Sequence, residues 1–171
     1  MALEIERKFL LRDDGWRAQV QRSVPMAQAY LNDLQAIDGG AVGASVRVRI
    51  EGEAARLNLK SREVGRSRQE FDYPIPMDDA RALMALAVGL RVEKTRHFVA
   101  HGAHVWEIDE FGGDNAGLVV AEIELAHLDE DFARPGWLGA EVTLQTRYYN
   151  LALAARPFCR WNAAERAGHV D

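Results

Sequence analysis

Cysteine is almost absent from this chain of 171 residues: Cys159 stands alone, so no internal disulfide can form, and a reducing cytoplasm is the expected setting. No uncharged apolar run approaches the ~18 residues that a membrane-spanning helix needs. The opening Met1-Ala2-Leu3-Glu4-Ile5-Glu6-Arg7-Lys8-Phe9 carries charge where a signal peptide would be apolar, so neither a membrane nor export is expected. A basic excess is missing as well. Lys and Arg number 21 against 26 Asp and Glu, a formal net charge of −5, which argues against duplex nucleic acid as the partner. Internal repeats, low-complexity blocks and linkers are lacking, and helical periodicity is scarce, which argues against a doubly wound α/β fold.

What remains is a globular composition, 48% hydrophobic and 27% charged. A chain of this length hides roughly 70% of its unfolded surface, enough for a sizeable core. The reading is one domain over 1–155 and a C-terminal tail, 156–171, helical or flexible. Period-two alternation marks segments around Ala2 to Leu11, Met26 to Leu31, Ser45 to Glu51, Arg56 to Ser61, Gln69 to Ile75, Val92 to Val99, Val105 to Phe111, Leu118 to Leu125 and Glu141 to Leu144. Asp78 is placed to cap a helix from Asp79 to Val88 stopped by Gly89, and Asn150 to cap one from Leu151 to Arg156 before Pro157. A short helical stretch is expected near His127 to Phe132, and Asp38 to Gly43 reads as a loop. These signals give a mainly β (α+β) fold, an antiparallel sheet, sandwich or barrel.

Successive side chains of a strand point to opposite faces. The first segment therefore sets Glu4, Glu6 and Lys8 against Leu3, Ile5 and Phe9. The pattern recurs in Arg47 and Arg49, Asn58 and Lys60, Glu70 and Asp72, Lys94 and Arg96, Glu107 and Asp109, and Glu122 and Glu124. Any one such strand could simply show water a polar face. Solvated faces usually mix uncharged polar residues and both signs, whereas these pairs are mostly of one sign, so something should compensate them. If the sheet closes into a barrel of about eight strands, the charged faces would line an interior just wide enough for one small ligand. Six cations, Lys8, Arg47, Arg49, Lys60, Lys94 and Arg96, call for a compact polyanion gripped through phosphate oxygens. Five carboxylates, Glu4, Glu6, Asp109, Glu122 and Glu124, call for hard divalent cations.

Glu4-Ile5-Glu6-Arg7-Lys8-Phe9 resembles the N-terminal ExExK signature of the CYTH superfamily, the triphosphate tunnel metalloenzymes. Val46-Arg47-Val48-Arg49, Leu59-Lys60-Ser61, Val92-Glu93-Lys94-Thr95-Arg96, Ile108-Asp109-Glu110-Phe111, Ala121-Glu122-Ile123-Glu124, Trp137 to Thr143 and Arg147-Tyr148-Tyr149-Asn150 resemble its small single-domain bacterial members, in order. The resemblance implies a closed eight-stranded antiparallel tunnel with a few helices outside, and a hydrolase acting on triphosphates, foremost inorganic tripolyphosphate. It implies Mg²⁺ or Mn²⁺, two per site, held by Glu4, Glu6, Asp109, Glu122 and Glu124, which would also be the catalytic residues. Lys8, Arg47, Arg49, Lys60, Lys94 and Arg96 would bind substrate, with Arg147, Glu70 and Glu141 at less specific tunnel positions. Leu144-Gln145-Thr146 and Tyr149 depart from the family's more charged pattern.

The same fold also admits a class IV-type adenylyl cyclase, a nucleoside or thiamine triphosphatase, or a non-catalytic polyphosphate-binding module, and leaves a homodimer open. The His97, His101 and His104 cluster reads as loop or strand surface rather than a metal centre. Trp16, Trp106, Trp137 and Trp161 read as packing residues, Cys159 likewise, and Arg62, Arg66 and Arg68 as a solvated loop.

Overall fold

The computed structural model describes residues 2–61 and 67–168, with the side chains of residues 2–4, 34, 38, 67 and 68 left aside; Arg62 and Arg66 fall outside the described residues. Among the described residues nine strands form one antiparallel sheet: β1 Ala2–Leu11, β2 Arg22–Tyr30, β3 Ala44–Glu51, β4 Ala54–Ser61, β5 Ser67–Pro74, β6 Val88–His101, β7 His104–Phe111, β8 Val119–Glu124 and β9 Leu138–Glu141. Their order is β5-β4-β3-β2-β6-β7-β8-β1-β9, and the first half of β1 pairs in addition with β5, Ala2 opposite Glu70 and Ile5 opposite Ser67. Two hairpins turn through two residues with glycine first, Gly52 at φ +55° and Gly102 at φ +62°. This is the backbone that a type II′ turn demands and that a side chain would strain.

Apolar residues of β1, β6, β7 and β8 pack on one face around Phe9, Trp16, Trp106, Ile108 and Trp137. All four tryptophans are buried, as their reading as packing residues requires. On β2, β3 and β4, Ala29, Val48 and Ala55 lie beneath the helix α2, Met77–Met84. A third cluster sits on the other face. Tyr30, Val92, Phe111 and Val120 share the face of the charged pairs through their cross-strand partners, and Leu153 and Ala154 of α3, Asn150–Ala155, pack against them. That end of the charged face is closed by apolar side chains.

Several element boundaries differ from the sequence reading. α2 starts after Pro76 and ends at Met84; Asp78 and Asp79 occupy its first turn, where they meet the positive end of the helix dipole, and Gly89 belongs to β6. Tyr149 rather than Asn150 stands before α3. A five-residue helix, α1 Leu34–Asp38, was not expected, although Asp33 caps it by accepting from the Gln35 and Ala36 N–H groups. Residues 127–132 carry no helix, β2 begins four residues before Met26, and β9 ends at Glu141 instead of starting there. In the tail, Asn162 and Glu165 form a capping box for α4, Ala163–Arg166, and Trp161 joins the third apolar cluster. Cys159 is exposed instead of packed.

Candidate active site

Cross-strand pairs share a face, so the register decides which charges meet. Lys8 lies opposite Glu122, Glu6 opposite Glu124, Arg47 opposite Asn58, Lys60 opposite Glu70, and Arg96 opposite Asp109. Around these pairs lies a cavity of about 180 Å³. Among the described residues its wall holds the cations Lys8, Arg47, Arg49, Lys60, Lys94 and Arg96, the carboxylates of Glu6, Glu70, Asp72, Glu107, Glu122 and Glu124, and the amides of Gln28 and Asn150. All six cations expected to bind substrate are thus brought together.

Buried ions need partners, and each charge here leans on the opposite sign. Arg96 spans the wall: Nε and Nη2 each donate to Asp109 at 2.7 Å, Nη2 also to Glu122 at 2.8 Å, and Nη1 pairs with Glu107. Lys94 pairs with Asp109, and Lys8 pairs with Glu122 while lying 3.1 Å from Glu6. Asn58 donates to Glu70 at 3.2 Å and accepts from Arg47 at 3.1 Å, and Lys60 stands 3.4 Å from Glu70. Compensation is incomplete on the cationic side. The Nε atoms of Arg47 and Arg49 are buried without a hydrogen-bond partner.

Burial acts on every ionisable group here, and the neighbours decide the sign. Burial, with Arg96 beside it, pulls the Lys94 ammonium down to about 8. Burial likewise pushes the Glu107 carboxyl up to about 7, against the pull of Arg96 and with help from Glu122, Asp109 and Glu124. Burial and the neighbouring Arg47 lower Arg49. Burial opposes the charged form of Glu122 as well, but Lys8, Arg96 and Lys94 outweigh it and hold the carboxyl well below its usual range.

Other expected site residues fall elsewhere. Asp109 is fully buried beneath the wall, its carboxylate shared by Lys94 and Arg96. Glu4 is placed by its backbone alone, opposite Arg68, and its side chain lies outside the described residues. Glu141 receives Arg7 through two hydrogen bonds of 2.6 and 2.5 Å, and Arg7 alternates with the cavity-facing Glu6 and Lys8 on β1. Arg147 donates to Gln145 at 3.1 Å and lies over the Tyr148 and Trp161 rings, apart from the cavity wall. Four wall residues carried no site role in the sequence reading: Gln28, Asp72, Glu107 and Asn150. Alternation set Asp72 on one face with Glu70 and Glu107 with Asp109, and Asn150 stood in the Arg147-Tyr148-Tyr149-Asn150 motif as a helix cap; Gln28 carries no charge pattern and had no signal.

An enclosed, doubly charged wall on an antiparallel sheet has counterparts among known proteins. The chain belongs to the CYTH family: the CYTH domain model matches residues 2–156. It is 36% identical over 159 residues to an inorganic triphosphatase of Acetivibrio thermocellus, covering 92% of this chain and 97% of that protein. An inorganic triphosphatase of Nitrosomonas europaea is also 36% identical, over 156 residues, 88% of this chain and 96% of the relative. Among solved structures, that of the inorganic triphosphatase NE1496 superposes with a TM-score of 0.63 at 33% identity, covering 90% of this chain and 95% of that one.

Proposed function

We propose that this chain hydrolyses a phosphoanhydride bond of inorganic tripolyphosphate, with the substrate held in a closed tunnel. Pairing of β1 with both β5 and β8 supports closure of the sheet on itself, β9 lying outside the ring. The observation that carries the reading is the pair of buried guanidinium Nε atoms in the cavity wall, on Arg47 and Arg49, neither with a hydrogen-bond partner, although Arg49 Nε lies 3.8 Å from Glu51. Donors left unpaired in that setting are costly unless an anion completes them. The two relatives at 36% identity, both inorganic triphosphatases, support a linear triphosphate as that anion.

The carboxylates fit a hard divalent cation by their chemistry. They offer oxygen only, and Glu6 and Glu124 lie side by side on paired strands, with Glu122 two residues along. Among the described residues no three acidic, His or Cys side chains already converge as a metal cage, since Glu122 and Glu6 are drawn to Lys8. Glu6, Glu122 and Glu124, with Glu4, would hold Mg²⁺ or Mn²⁺, which when bound supplies neutralisation of phosphate charge and activation of the attacking water. Arg47, Arg49, Lys60 and Lys8 would grip the phosphate chain. Lys94 and Arg96, held in place by Asp109, would stabilise charge that builds on the transferred phosphoryl group and the leaving phosphate.

Glu124→Gln tests the division of labour. It should cut turnover of tripolyphosphate by about 100-fold or more while leaving its affinity within a few-fold of wild type. Loss of affinity alone, with bound substrate turning over at the normal rate, would remove Glu124 from the reaction.

A further inference from the structure

Among the described residues of the cavity wall, Gln28 is uncharged and only 1% exposed, and its Nε2 has no hydrogen-bond partner. It lies opposite Arg49 on β3 and Val92 on β6, one step along β2 from Tyr30. Val92 and Tyr30 belong to the apolar cluster that closes this end of the charged face, so Gln28 marks the border between the polar cavity and its closure. Asn150, the first residue of α3, meets the same cavity from the closing helix, and its Oδ1 is buried with no donor. An unpaired donor and an unpaired acceptor thus belong to two residues that line one cavity, where the apolar cluster borders it.

A donor suits any phosphate oxygen, but a carbonyl acceptor facing a polyanion is repelled unless the anion carries a proton. In a linear polyphosphate only the terminal phosphoryl group does so near neutral pH, because only there is a second ionisation left, close to 6 as in other phosphate monoesters. Internal and cyclic phosphates have none. Resting on the phosphate-binding reading above, we propose that Gln28 and Asn150 form a subsite for a free terminal phosphoryl group, Gln28 donating to an oxygen and Asn150 accepting from its P–OH. The substrate then enters end first, with its free terminus against α3. Any organic substituent points to the mouth.

Calorimetric titration of the full chain in chelator, with linear tripolyphosphate and cyclic trimetaphosphate, tests this, since the cyclic anion has three phosphates and no terminus. Asn150→Ala, which removes the acceptor for the P–OH, should weaken tripolyphosphate by about tenfold, the scale of one hydrogen bond to a charged group, and leave trimetaphosphate within about twofold. Asn150→Leu gives the same selective loss and serves if the alanine variant melts early, and Gln28→Met should weaken tripolyphosphate by a similar factor. Equal weakening of both anions by a folded Asn150 variant, or no weakening of either, would overturn the proposal while leaving the hydrolase reading intact. Wild-type protein that binds both anions equally would overturn it without any variant. Wild-type protein that binds neither would remove the phosphate-binding reading itself.

Discussion

Arg96 shows how much of this wall depends on one side chain. It is the shared partner of Asp109, Glu107 and Glu122, on two strands besides its own. Arg96→Ala would leave Asp109, which is fully buried, with Lys94 alone, and breaking such a pair from one side costs about 3–5 kcal/mol. Urea denaturation should report that loss. Glu107 sets a pH dependence. Its carboxyl faces Arg96 from β6, Glu122 and Glu124 from β8 and Asp109 from its own strand, and titrates at about 7. As the pH falls through that value the wall loses a negative charge, so tripolyphosphate binding in chelator should tighten, and Glu107→Gln should lose that increment relative to wild type. The like-charged pairs two residues apart were legible in the sequence. The sinking of Asp109 beneath the wall and the turning of Glu141 to Arg7 were not, because both follow from cross-strand register, a contact between residues far apart in the chain.

Among the elements, α3 joins the sheet to the C-terminal segment. Leu153 is fully buried in the cluster that closes the charged face, so Leu153→Ala should cost about 2–5 kcal/mol in the same denaturation experiment. Behind it, Arg156 donates to both oxygens of Glu165 at 2.5 and 2.9 Å, and the Asn162 N–H donates to the same carboxylate. These hydrogen bonds, Arg156 foremost, pull the Glu165 carboxyl from 4.5 down to about 2. The folded value lies below the unfolded one, so this anchor is complete above about 4.5 and is lost as the pH falls toward 2. Amide exchange over 163–167 should rise in that window, and Glu165→Gln should raise it at neutral pH. Strands were legible as elements because alternation is local. Helix boundaries were less so, since the C-terminal end of α2 follows from packing on β3 and β4, which its sequence does not display.

At the scale of the whole molecule, a modest net charge of −5 hides a strongly patterned interior. The sheet sorts its side chains so that apolar residues pack beneath α2 and around the tryptophans, while ions of both signs face one another across about 180 Å³. Such a wall is expensive to fold unless a ligand of matching charge and a divalent cation complete it. The stability of the protein should therefore be linked to both. Its melting temperature should rise with tripolyphosphate, and Arg47→Ala, which removes one of the two guanidinium groups whose Nε has no hydrogen-bond partner, should blunt the rise by weakening binding about tenfold or more. The ordered charged motifs made the family legible before the structure, and the chain belongs to CYTH over residues 2–156. Gln28 had no comparable signature, and Asn150 stood in its motif as a helix cap without a cavity role.

Hydrolysis of a linear triphosphate is read out by product release from tripolyphosphate and from ATP, each with Mg²⁺, Mn²⁺ or chelator, following orthophosphate, pyrophosphate and cyclic AMP together. Metal-dependent orthophosphate from tripolyphosphate, well above that from ATP and abolished by chelator, is the expected result. Cyclic AMP and pyrophosphate from ATP, or saturable binding of tripolyphosphate without turnover under any metal, would contradict it.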